Sequence, residues 1–140
     1  MQAMSLAAPG GIDQLALVDV EPRAPSAHEI QVAIKATSLN FHDYAVVVGL
    51  IPAADGRIPM SDGAGVVTAV GDAVSDFSVG DNVISHFFPK WFSGRPTAAC
   101  LQGVPGGHVG GFAAQSVTMP AAAVGRSPED VSHIEAATLS

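Results

Sequence analysis

Gly65-Val-Val-Thr-Ala-Val-Gly-Asp-Ala-Val-Ser-Asp-Phe-Ser-Val-Gly-Asp-Asn-Val83 decides the fold. Residues 65–70 are rich in β-branched side chains, which suit a pleated, half-buried surface, and they run into the turn dipeptide Gly71-Asp72. Val79-Gly-Asp-Asn-Val83 supplies a second turn, and Asn82–Phe87 reads as the next strand. Upstream, Glu29–Leu39 alternates: Ile30, Val32, Ile34 and Ala36 point one way, and Gln31, Lys35 and Thr37 the other. Leu15–Val20 follows the same pattern more loosely. Downstream, Phe112–Thr118 reads as a further strand stopped by Pro120. Many short strands, with 15 glycines and 10 prolines between them, predict a mainly β domain, an antiparallel barrel or sandwich.

Two helices interrupt this pattern. Asn40 can cap a short one that Gly49 ends in the left-handed region. Ser132 and Glu135 have capping-box spacing at the start of a second, expected to run eight or nine residues to the chain end. A helix that short is marginal without tertiary support, so a further domain is expected to follow residue 140.

Composition narrows the function classes. The 140 residues are sized for one domain. Six Lys and Arg against 13 Asp and Glu give a net charge of −7, a poor match for nucleic acid or anionic membranes. No apolar run approaches the roughly 20 residues of a membrane-spanning helix, and the N-terminus lacks the pattern of a signal peptide. A cytoplasmic location is expected. The single cysteine, Cys100, leaves no internal disulfide and no cysteine-rich zinc lobe; with no basic neighbour, its thiol is expected to be inert.

The 65–83 segment looks like the strand–turn–strand core of GroES-like domains. With Ala8-Pro-Gly-Gly11, Ser38-Leu-Asn-Phe-His-Asp43, Ser61-Asp-Gly-Ala-Gly65 and Glu135-Ala-Ala-Thr-Leu139, the chain resembles the N-terminal catalytic domain of medium-chain dehydrogenase/reductases. It is most similar to their zinc-independent branch, the quinone oxidoreductase-like and NAD(P)-dependent alcohol dehydrogenase-like proteins. The resemblance implies a partly open GroES-like β-barrel with a few short helices, residues 1–140 forming one such domain. It also implies a Rossmann nucleotide-binding domain as partner, with substrate in the cleft between them. NAD(P)H would serve the full-length enzyme, with none held by this chain.

The same resemblance assigns candidate residues. Zinc-dependent relatives open the first helix with a cysteine and place a histidine before a glutamate at the glycine-rich strand. Here those positions hold Asn40, Ser61 and Asp62, so no metal site is expected. His28, His42, His86, His108 and His133 show no paired metal-ligand spacing. Asn40 could donate to a carbonyl oxygen or serve as a plain helix cap; both readings stay open. His42 falls at a proton-relay position, where imidazole could act as a general acid or merely meet phosphate or solvent. Asp43 matches a shared aspartate, catalytic or holding the helix to the sheet. Tyr44, Ser61, Asp62, Phe87, Phe88 and Trp91 are candidates for the substrate side. Phe87-Phe-Pro-Lys-Trp-Phe92 concentrates aromatics that could line a pocket or seal the barrel end.

The glycine runs Gly106-Gly-His-Val-Gly-Gly111 and Ser61-Asp-Gly-Ala-Gly65 lead into strands rather than helices, so they read as turns and close-packing points, not phosphate loops. The expected function is the substrate side of a zinc-independent NAD(P)-dependent oxidoreductase, inactive alone. Its substrate would be a small quinone, enone, alcohol or carbonyl compound. The alternative is a non-enzymatic GroES-like binding or assembly module. Apolar side chains expected at the cleft could also drive homo-oligomers.

Overall fold

The computed structural model describes residues 1–140, folded as seven strands and two short helices. The strands are β1 (Gln2–Leu6), β2 (Leu15–Asp19), β3 (Glu29–Ala36), β4 (Ala64–Val70), β5 (Asn82–Ser85), β6 (Ser116–Pro120) and β7 (Val124–Arg126). The helices are α1 (Phe41–Val47) and α2 (His133–Ala136). Five strands form one antiparallel sheet in the order β6-β3-β4-β5-β7, while β1 and β2 pair as a separate hairpin. Bridges Ala3↔Ala114 and Leu6↔Arg57 join the hairpin to the rest.

The alternation in β3 does what its period of two requires. Ile30 and Val32 are buried, while Gln31 turns outward and its side chain donates to the Arg23 carbonyl. Ile30 and Val32 meet Val67, Val83, Phe112, Met119 and Val124 in one apolar core. Five flat strands would set their outer edges about 19 Å apart, at about 4.8 Å per strand. Yet the chain passes from the end of β6 at Pro120 to the start of β7 at Val124 through a single 3-10 turn, Ala121–Ala123. Four residue steps reach about 14 Å at most. The sheet must curl around its core. The result is the partly open barrel expected.

Three boundaries differ from the sequence reading. The strand expected over Phe112–Thr118 runs Ser116–Pro120, because residues 111–113 instead donate main-chain N–H groups to Ile58, Met60 and Pro59. Pro120 closes the strand on an edge, where a missing N–H breaks no ladder bond. The strand expected to reach Phe87 ends at Ser85. The second helix is four residues long, and its capping box is present: Glu135 N–H donates to Ser132 Oγ at 3.3 Å, and Ser132 N–H to Glu135 Oε2 at 2.9 Å. Tertiary support comes from Ala136 and Ala137, both buried against Ala64. Gly49 follows α1 with φ 81°, the left-handed ending foreseen. No helix is long and apolar enough to cross a membrane.

Candidate functional site

The end of β3, the start of α1 and the segment entering β4 converge on one polar cluster. Asn40 stands at the N-cap of α1. Its side-chain Nδ2 donates to Ser61 Oγ at 2.9 Å and to Asp62 Oδ2 at 2.6 Å. A primary amide has two N–H bonds, so both donors are engaged inside the protein. The Asp62 carboxylate also fixes which end of the amide is nitrogen. Asp43 is fully buried and accepts from two main-chain amides, Asn40 N–H and Ser61 N–H, each at 2.8 Å. Its carboxylate therefore ties the first turn of α1 to residue 61. Ser61 and Asp62 are buried too.

Two buried polar atoms in this region have no partner: Asp62 Oδ1 and His42 Nδ1. His42 Nδ1 lies 3.6 Å from Asp43 Oδ1, within ion-pair distance if the imidazole is protonated. The His42 ring meets Phe87 edge-on at 5.4 Å, Phe87 meets Phe88 at 4.8 Å, and Phe88 meets Trp91 at 6.2 Å. His42 is thus the joint between the polar cluster and an aromatic row. Tyr44 stands apart: it is 50% exposed on the outer side of α1, against Phe41.

Backbone geometry locks the approach to this cluster. Met60, just before Ser61, has φ 77°, a left-handed conformation that costs a non-glycine residue about 1–3 kcal/mol. Gly106 and Gly111 pack their backbones on it. A Cβ at Gly111 would sit 2.2 Å from Met60 O, and one at Gly106 would sit 2.9 Å from Met60 N. Both glycines are the close-packing points foreseen.

Two contributing residues were not among the sequence candidates. Ser38 Oγ donates its one proton toward Ala137 O at 2.8 Å, with Asp62 Oδ2 at 3.3 Å, so it connects the end of α2 to the cluster. Thr37 Oγ1 donates to Asp62 O at 2.6 Å. Single hydroxyls at a strand end carry no spacing signal. Cys100 also departs from expectation. The Thr97 N–H donates to its sulfur at 3.0 Å, and this main-chain bond, with the Thr97 side chain, holds the thiol below its ordinary pKa.

The residues present do not fit a catalytic zinc. No three His, Cys, Asp or Glu side chains come together to hold a metal ion, and the side-chain amide of Asn40 donates to Asp62 Oδ2. They do not fit a dinucleotide pyrophosphate either: α1 has seven residues, α2 has four, and neither follows a glycine-rich turn out of a strand. A cavity of about 610 Å³ lies elsewhere and includes none of the nine candidate residues.

A curled antiparallel sheet with a capped helix and a buried polar cluster at one end defines a small GroES-like β scaffold. Residues 26–129 match the alcohol dehydrogenase GroES-like domain, and the chain belongs to that family. It is therefore an N-terminal domain of the oxidoreductase type found in medium-chain dehydrogenase/reductases. A zinc-type alcohol dehydrogenase-like protein of Schizosaccharomyces pombe is 36% identical over 132 residues, covering 92% of this chain and 38% of that protein. A mycocerosic acid synthase-like polyketide synthase of Mycolicibacterium smegmatis is 46% identical over 77 residues, 54% of this chain and 4% of that one. Among solved structures, an alcohol dehydrogenase described for Sinorhizobium meliloti aligns with TM-score 0.88 and 34% identity over 99% of this chain and 42% of its own. A Pseudomonas syringae quinone oxidoreductase aligns with TM-score 0.77 and 32% identity, over 99% of this chain and 37% of its own. The chain spans about two fifths of the length of the full-chain matches.

Proposed function

We propose that this chain is the substrate-side domain of a zinc-independent NAD(P)-dependent oxidoreductase acting on quinones, enones or small alcohol and carbonyl compounds. The observation that carries this reading is the Asn40–Ser61–Asp62 hydrogen-bond set. It fills the positions that family resemblance assigns to two zinc ligands and the acid beside them, with side chains that satisfy one another instead. The likeness to a quinone oxidoreductase supports the substrate class. Hydride would come from the nicotinamide of a cofactor held by a separate Rossmann domain, the partner this reading requires. The chain's own residues wall the substrate: the cluster holds Asn40 and Asp43 rigid, while His42, Phe87, Phe88 and Trp91 form an aromatic side to the site.

The test joins residues 1–140 to the dinucleotide-binding half of the Pseudomonas syringae quinone oxidoreductase. NADPH oxidation is followed with 1,4-benzoquinone and with a cyclic enone, and bound zinc by elemental analysis. Turnover that survives chelation, with substoichiometric zinc and none by the chain alone, supports the proposal. Stoichiometric zinc would sink the metal-free assignment. Saturable NADPH binding by the unjoined chain would sink the division of labour. A chimera that binds NADPH yet reduces neither substrate would sink the substrate class.

A further inference from the structure

The two ring nitrogens of His42 face different surroundings. Nδ1 is buried and has no hydrogen-bond partner. Its charged neighbour is Asp43 Oδ1 at 3.6 Å, the oxygen that already accepts the Ser61 N–H at 2.8 Å. That separation exceeds a hydrogen bond, so the contact between the two side chains is electrostatic. A lone pair on Nδ1 would set two electron-rich atoms against each other where water cannot screen them. A proton on Nδ1 instead turns the positive end of an N–H dipole toward the carboxylate. In neutral imidazole one nitrogen carries the proton and the other the lone pair. A proton on Nδ1 therefore leaves the lone pair on Nε2.

Nε2 is the nitrogen that reaches the surface. It makes no hydrogen bond within the chain, yet it is not sealed as Nδ1 is, and the side chain is 18% exposed. The ring is held on two sides. Phe87 meets it edge-on at 5.4 Å, and the backbone of Gly107 passes so close that a Cβ there would lie 2.9 Å from Nε2. In the adjoining cluster, both N–H bonds of the Asn40 amide are spent on Ser61 Oγ and Asp62 Oδ2. Neither Asn40 nor a neutral His42 then has a proton to offer a bare carbonyl oxygen.

We infer that Asp43 is a positioning residue that keeps the proton of neutral His42 on Nδ1, and that Nε2 accepts a hydrogen bond from a substrate hydroxyl. Among the compounds proposed above, the hydroxyl-bearing forms, alcohols and hydroquinones, bind at His42 in preference to their carbonyl partners. The choice of substrate rests on the oxidoreductase reading; the place of the ring proton does not.

The first measurement is the pair of ring ¹⁵N shifts of His42 in the labelled full chain, at a pH well above the ordinary imidazole range. Nδ1 should show the shift of a protonated nitrogen and Nε2 that of a bare one. Asp43→Asn removes the negative charge and should raise the share of protonated Nε2 at least threefold. If that variant does not fold, the parent spectrum still decides. The ligand probes are phenol, which has a hydroxyl but no hydride to give, and anisole, which keeps the ring without the donor. Phenol should move the Nε2 shift saturably at millimolar concentration and bind at least fivefold tighter than anisole. Gly107→Ala, which crowds Nε2, should weaken phenol at least threefold. A bare Nδ1 in the parent, or unchanged proton shares in a folded Asp43→Asn, would overturn the positioning role. Equal affinity for phenol and anisole, or an Nε2 shift that phenol does not move, would overturn the acceptor role. None of these readouts needs cofactor, zinc or turnover, so a failed chimera and a failed assignment are told apart.

Discussion

Asn40 Nδ2 and Asp62 Oδ2 are 2.6 Å apart, a charge-assisted contact that joins the first residue before α1 to the segment entering β4. Asp62 has only one other partner for that oxygen, the Ser38 hydroxyl at 3.3 Å, and its second oxygen has none. Asn40→Ala should cost about 1.5–3 kcal/mol, the usual loss for a hydrogen bond to a charged group. Asn40→Asp should be worse at neutral pH, because two carboxylates would share one buried site. A repelled carboxyl has its folded pKa raised, so the extra loss vanishes below the unfolded value of about 4 and grows as pH rises above it. Urea unfolding at pH 5 and pH 7.5 measures this; an equal deficit at both would contradict the geometry.

Neighbouring glycines should respond oppositely to one methyl group. A Cβ at Gly111 would strike Met60 O at 2.2 Å and Pro59 O at 2.3 Å, both backbone atoms that cannot step aside. Gly111→Ala should destabilise by about 3 kcal/mol. At Gly110 nothing lies within 4 Å, so Gly110→Ala should leave stability unchanged or raise it by up to about 1 kcal/mol. Thermal melts of the two variants decide the matter.

Glu29 should impose an acid limb on stability. Both guanidinium nitrogens of Arg23 reach it at 2.7 Å, and Ser26 donates from its hydroxyl and amide. The Arg23 side chain first, then Ser26, hold its carboxyl well below normal, at about 2. A depressed folded pKa gives stability that is present above the unfolded value of about 4.5 and is lost as pH falls from there toward 2. The contribution is modest because the pair is exposed to solvent. In Glu29→Gln, the difference from the parent should shrink steadily across that interval; a constant offset would show that Glu29 does not titrate there.

Cys100 should alkylate faster at neutral pH than an ordinary thiol. Donation from the Thr97 main chain, then from its side chain, stabilises the thiolate. The pH midpoint of iodoacetamide labelling should fall below the usual thiol value, and Thr97→Pro, which removes the N–H, should move it back. An unchanged midpoint in that variant would remove Thr97 as the cause.

Much of this molecule could be read in advance, and the limits have physical causes. β3 announced itself because one face is buried, which forces side-chain alternation, and β4 did so by its β-branched run. Asn40, Ser61 and Asp62 were singled out from their place in family-like motifs, and the structure brings them within hydrogen-bonding reach. β1 and β7 carried no such signal: one is Gln-Ala-Met-Ser-Leu, the other three residues centred on Gly125. Both are held by contacts distant in sequence. Tyr44 falls on the outward side because α1 buries Asp43, Ala45 and Val46, leaving positions 41 and 44 to solvent. The cavity of about 610 Å³ draws its walls from several separate segments, so no window of sequence contains it.

The turn of three alanines, Ala121–Ala123, has a mechanical consequence. It works as a clasp holding the two free margins of a rolled ribbon together. A single proteolytic cut there would remove no strand and no core side chain, yet the scroll could relax at its seam. That seam is bridged along the chain by one short stretch of main chain.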